Sequence, residues 1–255
     1  MSTEAEPTFL INEIRYQLEL HEPNYEAGDL TGDEISRQVF TGILGGINVG
    51  KTHLTDAVVK LNEFYKPPIL PMDTHTTRGD KDEDPPGFKT ANDDINFTWF
   101  RDRVNEGALV NYSVIKGGHI YGTMPEGFRG KYNIGPLLPS SVRQIENAGF
   151  ERANFAYIVT PAIMWRRFVE NSRQTMQADL FQMRLDEMHD SLIFADENRD
   201  KLKFIENIYG PEGTAKAAKE IRDITIENIN PSLSVEKAMQ DIYELLEAVD
   251  ELALH

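Results

Sequence analysis

Gly45, Gly50, Lys51 and Thr52 stand at a spacing that handles phosphate. The stretch GGINVGKTHL, residues 45–54, reads Gly-x-x-x-x-Gly-Lys-Thr, with Asn48 inside the turn and His53 just beyond it. Glycines let backbone N–H groups turn inward and approach phosphate oxygens closely. A helix that starts there adds its positive end, and the lysine reaches the outer phosphates of a nucleoside triphosphate. The hydroxyl of Thr52 is placed to ligate Mg²⁺. Gly45, Asn48, Gly50, Lys51, Thr52 and His53 therefore form the expected ATP-binding turn. The pattern speaks for binding a triphosphate and says nothing of what the triphosphate is for.

Such a turn needs a strand before it and a helix after it. RQVFTGIL (37–44) is short, β-branched and aromatic, and reads as a buried strand. HLTDAVVKLNEFY (53–65) sets Leu54, Ala57, Val58, Leu61 and Phe64 or Tyr65 on one helical face, with Pro67 and Pro68 as the stop. ILPMDT, FAYIVT and KLKFIEN read as further strands, and NYSVIKGGHIYGT as a hairpin turning at 116–118. Helices are predicted in LINEIRYQLEL, DINFTWFRDRVNEGALV, PAIMWRRFVENSR, QADLFQMRLDEMHDSLIFADEN, TAKAAKEIRDI and VEKAMQDIYELLEAVDELA. Strands alternating with helices argue for an α/β fold with a mostly parallel sheet.

Composition narrows the chemistry. The 255 residues carry no cysteine, which excludes disulfides, thiolate metal sites and cysteine nucleophiles. The formal charge of −16 repels nucleic acid and anionic membranes, so an anionic ligand needs a dedicated cationic pocket. No apolar run approaches the roughly 20 residues of a bilayer span. The start, MSTEAEPTFL, lacks the basic and apolar parts of a secretory signal, and a cytoplasmic location is expected. The six histidines show no metal-ligand spacing, and the acidic run 80–84 lacks the alternation of a calcium loop.

Among triphosphate users, a GTPase carries an Asn-Lys-x-Asp run, which is absent, and the strands end without the acidic residues of a mechanical ATPase. A small-molecule kinase needs a second phosphate site and arginines that neutralise the transferring group. DTHTTRGDK and GGHIYGT supply the first, and here the sequence resembles guanylate kinases, which carry Ser-x-Thr-Thr-Arg-x-x-Arg and a hairpin ending Tyr-Gly-Thr. The resemblance implies that Thr74, Arg78, Tyr121 and Thr123 hold the acceptor phosphate. In TPAIMWRRFVENSRQTMQADLFQMRLDEM it matches Arg173 and Arg184 to the arginines of the lid and the helix after it, with Arg166 and Arg167 as neighbours. Asn207 would match the family's adenine-side asparagine, although the pattern recurs at ITIEN ending in Asn228.

Departures from the family are as informative. Lys81 replaces the second arginine, keeping charge and losing the bidentate fork. Phe88 stands where a tyrosine is expected and cannot donate a hydrogen bond. Asn111 aligns with the guanine-reading glutamate. An asparagine offers one acceptor and one donor edge in place of two acceptors. The family's Asp-x-x-Gly is missing, with Pro136 or a neighbour in its place. Taken with these departures, the resemblance implies that phosphate handling is retained and guanine recognition altered.

The resemblance implies a P-loop NTPase-type parallel sheet flanked by helices, a small β-rich acceptor-binding subdomain at about 73–130 and a helical lid at about 166–184, all within residues 38–222. Residues 1–37 read as an accessory arm and 223–255 as a C-terminal helical extension. The stripe Met239, Ile242, Leu245, Leu246, Val249 and Leu252 suits either its own domain or a homodimer seam. Two functions fit. One is a Mg²⁺-dependent phosphotransferase using ATP and GMP, another nucleoside monophosphate or a sugar phosphate, with Lys51, Arg78, Arg173 and Arg184 catalytic. The other is a non-catalytic module binding a nucleotide or a phosphopeptide. No nucleic acid or membrane partner is expected.

Overall fold

A computed structural model describes residues 8–28, 35–79, 88–91, 94–174 and 176–253. Along the chain run α1 (Thr8–His21), β1 (Val39–Leu44), α2 (Lys51–Leu61), β2 (Ile69–Pro71), β3 (Thr74–Thr76), β4 (Phe88–Lys89), α3 (Phe97–Asn105), β5 (Asn111–Val114) and β6 (Ile120–Thr123). They are followed by β7 (Tyr132–Pro136), α4 (Val142–Asn147), β8 (Arg152–Val159), α5 (Ala162–Arg173), α6 (Ala178–Glu197), β9 (Lys203–Glu206), α7 (Pro211–Glu227) and α8 (Val235–Ala253). The chain forms two compact units. One comprises Met1–Gln38, Pro71–Arg129 and Ser140–Glu151, the other Val39–Leu70, Gly130–Pro139 and Arg152–His255.

The larger unit is built on a five-stranded parallel sheet ordered β2-β7-β1-β8-β9. All six residues of β1 are buried, as its apolar run predicts for a central strand. Residues on β8 alternate between two helical layers. Ala156 and Ile158 join Leu54 and Val58 of α2 and Ala217, Ile221 and Ile224 of α7 in one core. Tyr157, between them, points the other way and donates to the Ser191 carbonyl on α6, 2.9 Å away. From β1 the chain first builds β2 and β7 on one side and then β8 and β9 on the other. The order reverses at β1, and ligand crevices in open α/β sheets form at the carboxyl ends of the strands at such a reversal.

The helix after β1 is shorter than its spacing predicts. It ends at Leu61, and Phe64 and Tyr65 are exposed rather than on the packing face. Pro67 biases Lys66 away from helical backbone, and residues 62–65 form a turn closed by the Tyr65 amide on the Asn62 carbonyl. ITIEN is not a strand: it is the last turn of α7, with Asn228 as a left-handed C-cap (φ 56°). The strand candidate that remains is β9. The α8 stripe docks within its own unit, where α8 packs against α5, α6, β8 and β9.

In the smaller unit β3, β6 and β5 are antiparallel neighbours, with β4 parallel to β3. Helices α1 and α3 cover its apolar side, Ile14, Leu18, Phe100 and Val104 packing with Tyr112 of β5 and Ile120 of β6. Ile14, Leu18 and Tyr25, from the stretch expected to be an arm, are thus part of this core. Two buried phenols tie them in: Tyr25 donates to the Leu109 carbonyl at 2.7 Å and Tyr112 to the Leu18 carbonyl at 2.8 Å. Among the described residues no helix is long and apolar enough to cross a membrane.

Candidate functional site

The glycine loop between β1 and α2 has three residues in the left-handed half of backbone space: Gly45 (φ 139°), Asn48 (φ 59°) and Gly50 (φ 88°). Asparagine is the side chain that best tolerates this region. At Gly45 space agrees with torsion, because a Cβ would lie 2.8 Å from Val49 Cγ2 and 3.0 Å from the Ile158 carbonyl oxygen. The first and last glycines of the spacing are therefore required by the turn itself.

Every carbonyl from Gly45 to Gly50 accepts a hydrogen bond from the protein. Lys51 Nζ reaches those of Gly45 and Gly46, both at 2.7 Å. Trp165 Nε1 donates to Ile47 at 3.3 Å, the Tyr209 hydroxyl to Asn48 at 2.7 Å, and Asn207 Nδ2 to Val49 at 2.8 Å. The Leu54 amide takes Gly50 at 2.9 Å. Among the described residues, the amides of Gly46 through His53 meet no protein acceptor. The arrangement is a ring of donors with its acceptors already spent, which is what an anion binds.

Burial pushes the Lys51 ammonium down to about 8, with Glu187 raising it and Arg184 lowering it. Those two residues of α6 are themselves paired, Arg184 Nη1 to Glu187 Oε2 at 2.9 Å. Arg184 and Glu187 thus both bear on the charge of Lys51. The Thr52 hydroxyl has no partner among the described residues, whereas Thr55, one turn on, spends its own on the Lys51 carbonyl at 3.0 Å. Thr52 is therefore free to ligate a cation, and His53 is exposed. No group of three or more acidic or histidine side chains gathers among the described residues. Mg²⁺ bound through phosphates and water does not require one.

The arginines separate by role. Arg173 closes α5, exposed, with its guanidinium 5.4 Å from the centre of the Phe181 ring. Arg166 instead pairs with Glu251 of α8 and, at 3.8 Å, with Glu170, so it straps α5 to the C-terminal helix. Asn207, just past β9, is buried, and its amide nitrogen is the brace on Val49. Trp165 and Tyr209 were not singled out by sequence. An aromatic residue on a helix or beside a strand reads as packing, and no spacing marks it as a loop partner.

In the smaller unit the register gathers the acceptor candidates on one sheet face. Asn111 lies opposite Thr123, Ser113 opposite Tyr121, and Tyr121 opposite Thr76, with Thr74 two residues before Thr76 on the same side. The reverse face carries Tyr112 and Ile120, packed in the core, and His75, stacked on Trp99 at 5.1 Å. Ser113 and Thr76 join the face unforeseen, although period-two spacing from Asn111 and Thr74 could have found both. Arg78 follows β3. Its amide donates to Thr76 Oγ1 at 3.1 Å, and its guanidinium reaches the Gly79 carbonyl at 3.3 Å. Lys81 lies outside the described residues, and Phe88 is placed by its backbone alone, opposite Thr74 in the β3–β4 pair.

Asn111 is buried. Its Nδ2 donates to Ser141 Oγ at 3.1 Å, and its Oδ1 has no partner among the described residues. Ser113 Oγ lies 2.6 Å from Ser141 Oγ and 2.7 Å from Ser140 Oγ. A carboxylate does reach this cluster, from Glu22. It accepts from the Val114 amide at 3.3 Å, and burial holds its carboxyl above the usual range against the pull of Ser140 and Ser113. Thr123 Oγ1 is 3.5 Å from Met72 Sδ.

The class defined by these observations is an α/β protein with a glycine loop at the carboxyl end of the central strand and a separate small polar sheet. No family model matches the chain. No curated protein matches it either. Among solved structures it is similar to a guanylate kinase from Anaplasma phagocytophilum, at 10% identity and a TM-score of 0.46, over 75% of this chain and 85% of that one.

Proposed function

We propose that the chain is an ATP- and Mg²⁺-dependent phosphotransferase, guanylate kinase-like, that moves the ATP γ-phosphoryl to a phosphate-bearing acceptor such as GMP or another nucleoside monophosphate. The observation that carries this reading is the glycine loop, whose carbonyls are all engaged while its amides meet no acceptor among the described residues. In this reading the amides and Lys51 bind the β- and γ-phosphates. Arg184 and Arg173 neutralise charge on the transferring group. Thr74, Arg78, Tyr121 and Thr123, with Lys81 and Phe88 nearby in sequence, serve the acceptor, and Asn111 meets its base. A guanidinium fork with hydroxyl donors matches a phosphate dianion. An acceptor phosphate oxygen forms the new bond to γ-phosphorus as the bond to the β-phosphate oxygen breaks. The nucleophile is already an anion, so no general base is needed and catalysis is positioning and charge neutralisation. Mg²⁺ would be held by Thr52 and would supply further neutralisation of phosphate charge.

The test is a thermal-shift panel of ATP–Mg²⁺ and nucleoside monophosphates, followed by ADP release. Ligands of the native state raise the melting temperature by mass action. An enzyme responds to ATP–Mg²⁺ and to one or a few monophosphates and releases ADP with them. A phosphopeptide module ignores both classes, and that outcome removes the proposal. A response to GMP above all other monophosphates would overturn the altered reading of Asn111.

A further inference from the structure

Three consecutive carbonyls of the glycine loop are held by three different side chains, none of them in the loop's own sequence signature. Ile47 is taken by Trp165 of α5, Asn48 by Tyr209, and Val49 by Asn207. A trans peptide is planar, so the C=O of residue i and the N–H of residue i+1 point in opposite directions. Fixing the carbonyls of 47, 48 and 49 therefore also fixes the direction of the amides of Asn48, Val49 and Gly50. Lys51 Nζ holds the two preceding carbonyls, those of Gly45 and Gly46. That lysine is the residue expected to turn to phosphate when phosphate arrives, so its hold on the loop is conditional. The other three donors have no such second duty.

We propose that Trp165, Tyr209 and Asn207 are positioning residues for polyphosphate binding: a permanent clamp that presets the amides of residues 48–50, beside a Lys51-held half that is released by the ligand. The inference rests on the glycine loop binding a polyphosphate, as proposed above. Further features of the loop fit a clamp. Asn48 sits at φ 59°, a conformation that an unheld residue populates rarely, and its carbonyl is the one that Tyr209 takes. Burial pushes the Tyr209 phenol up to about 12, so it remains a donor across the working range of pH. Asn207 is buried, and a Cβ on Gly50 would come within 3.0 Å of its Nδ2, so amide and loop are in close contact. Pre-ordering donors removes part of the cost of binding, which gives the clamp its expected effect on affinity.

The experiment compares Tyr209→Phe, which deletes one hydroxyl, with the wild-type chain, using ATP–Mg²⁺, inorganic tripolyphosphate and adenosine as probes in calorimetry. Tyr209→Phe is expected to weaken ATP–Mg²⁺ and tripolyphosphate alike, by about 3- to 10-fold, the equivalent of one hydrogen bond. The ligand-free melting temperature should change little, and the KM for the monophosphate acceptor should stay as it was. Trp165→Phe, which loses the N–H donor, also leaves space in the core, where Trp165 is fully buried, so it lowers the melting temperature, and its loss of tripolyphosphate affinity is expected to exceed what that fall accounts for. Equal affinity of wild type and both variants for tripolyphosphate overturns the clamp. So does a loss that only follows the fall in melting temperature. If the wild-type chain itself binds neither ATP–Mg²⁺ nor tripolyphosphate, the proposed function fails first, which separates the two failures.

Discussion

The glycine loop and the polar sheet face both present polar groups to a prospective anion, but they are made in opposite ways. In the loop the presented groups are backbone amides of consecutive residues, and the side chains mostly work from behind on the carbonyls. On the sheet face the presented groups are side chains, drawn from β3, β5 and β6, with Ser140, Ser141 and Glu22 joining from distant parts of the chain. A backbone donor ring cannot distinguish what lies beyond the phosphate it holds. A side-chain cluster whose Asn111 Oδ1 meets no partner among the described residues can, because a mismatched polar partner costs binding energy. Under the proposed function, this difference gives affinity for phosphate to one region and choice of acceptor to the other.

The largest expected effect breaks the loop alone. Lys51→Ala should lower phosphoryl transfer by about 10²–10³-fold or more, measured as ADP release, while far-UV circular dichroism and cooperative melting persist. Activity that survives would remove the loop from catalysis. A smaller effect tests the other region. Arg78→Lys keeps charge and loses the fork, and should raise the acceptor KM by about tenfold while leaving the KM for ATP unchanged. An equal rise in both would show that phosphate binding and acceptor choice do not divide between the two regions as described.

The smallest effect concerns charge in the ligand-free loop. With the Lys51 ammonium at about 8 in the folded chain against an ordinary value of 10.5, the folded state gives up its proton first. Below about 8 both states carry the charge, and the native state bears the full cost of burying it. Between about 8 and 10.5 the unfolded chain binds more protons, so stability should rise with pH relative to Lys51→Met. The slope is at most about 1.4 kcal/mol per pH unit for one proton. Denaturant melts of both proteins from pH 7 to 10 check this, and parallel curves would refute it.

Much of the larger unit was legible because its signals are local. The strand before the glycines, the helix after them and the amphipathic α8 each follow from periodicity within one stretch, and α8 matches its predicted residues end to end. Misreadings arose where a neighbour overrode a local pattern. Phe64 and Tyr65 continue the helical spacing but fall beyond the turn that ends α2. ITIEN, left open beside KLKFIEN as the family's asparagine-bearing strand, has Ile224 and Thr225 in the last turn of α7 instead, with Thr225 Oγ1 on Thr41 Oγ1 at 2.9 Å. Residues 8–28 look acidic and weakly patterned because few of them, Ile14, Leu18 and Tyr25 with Ala27 partly buried beside them, reach the core.

The sequence by itself determined the glycine turn, its lysine and hydroxyl, and the strand and helix that bracket it. Their geometry depends on covalent neighbours and on which residues tolerate positive φ. Tertiary structure alone decided which donors hold the loop's carbonyls, that Arg166 is spent on Glu251, and that Glu22 enters the cluster around Asn111. Those pairings join residues far apart in the chain, and nothing in the type or spacing of either partner encodes the other. Only the packing of elements brings them within hydrogen-bond reach.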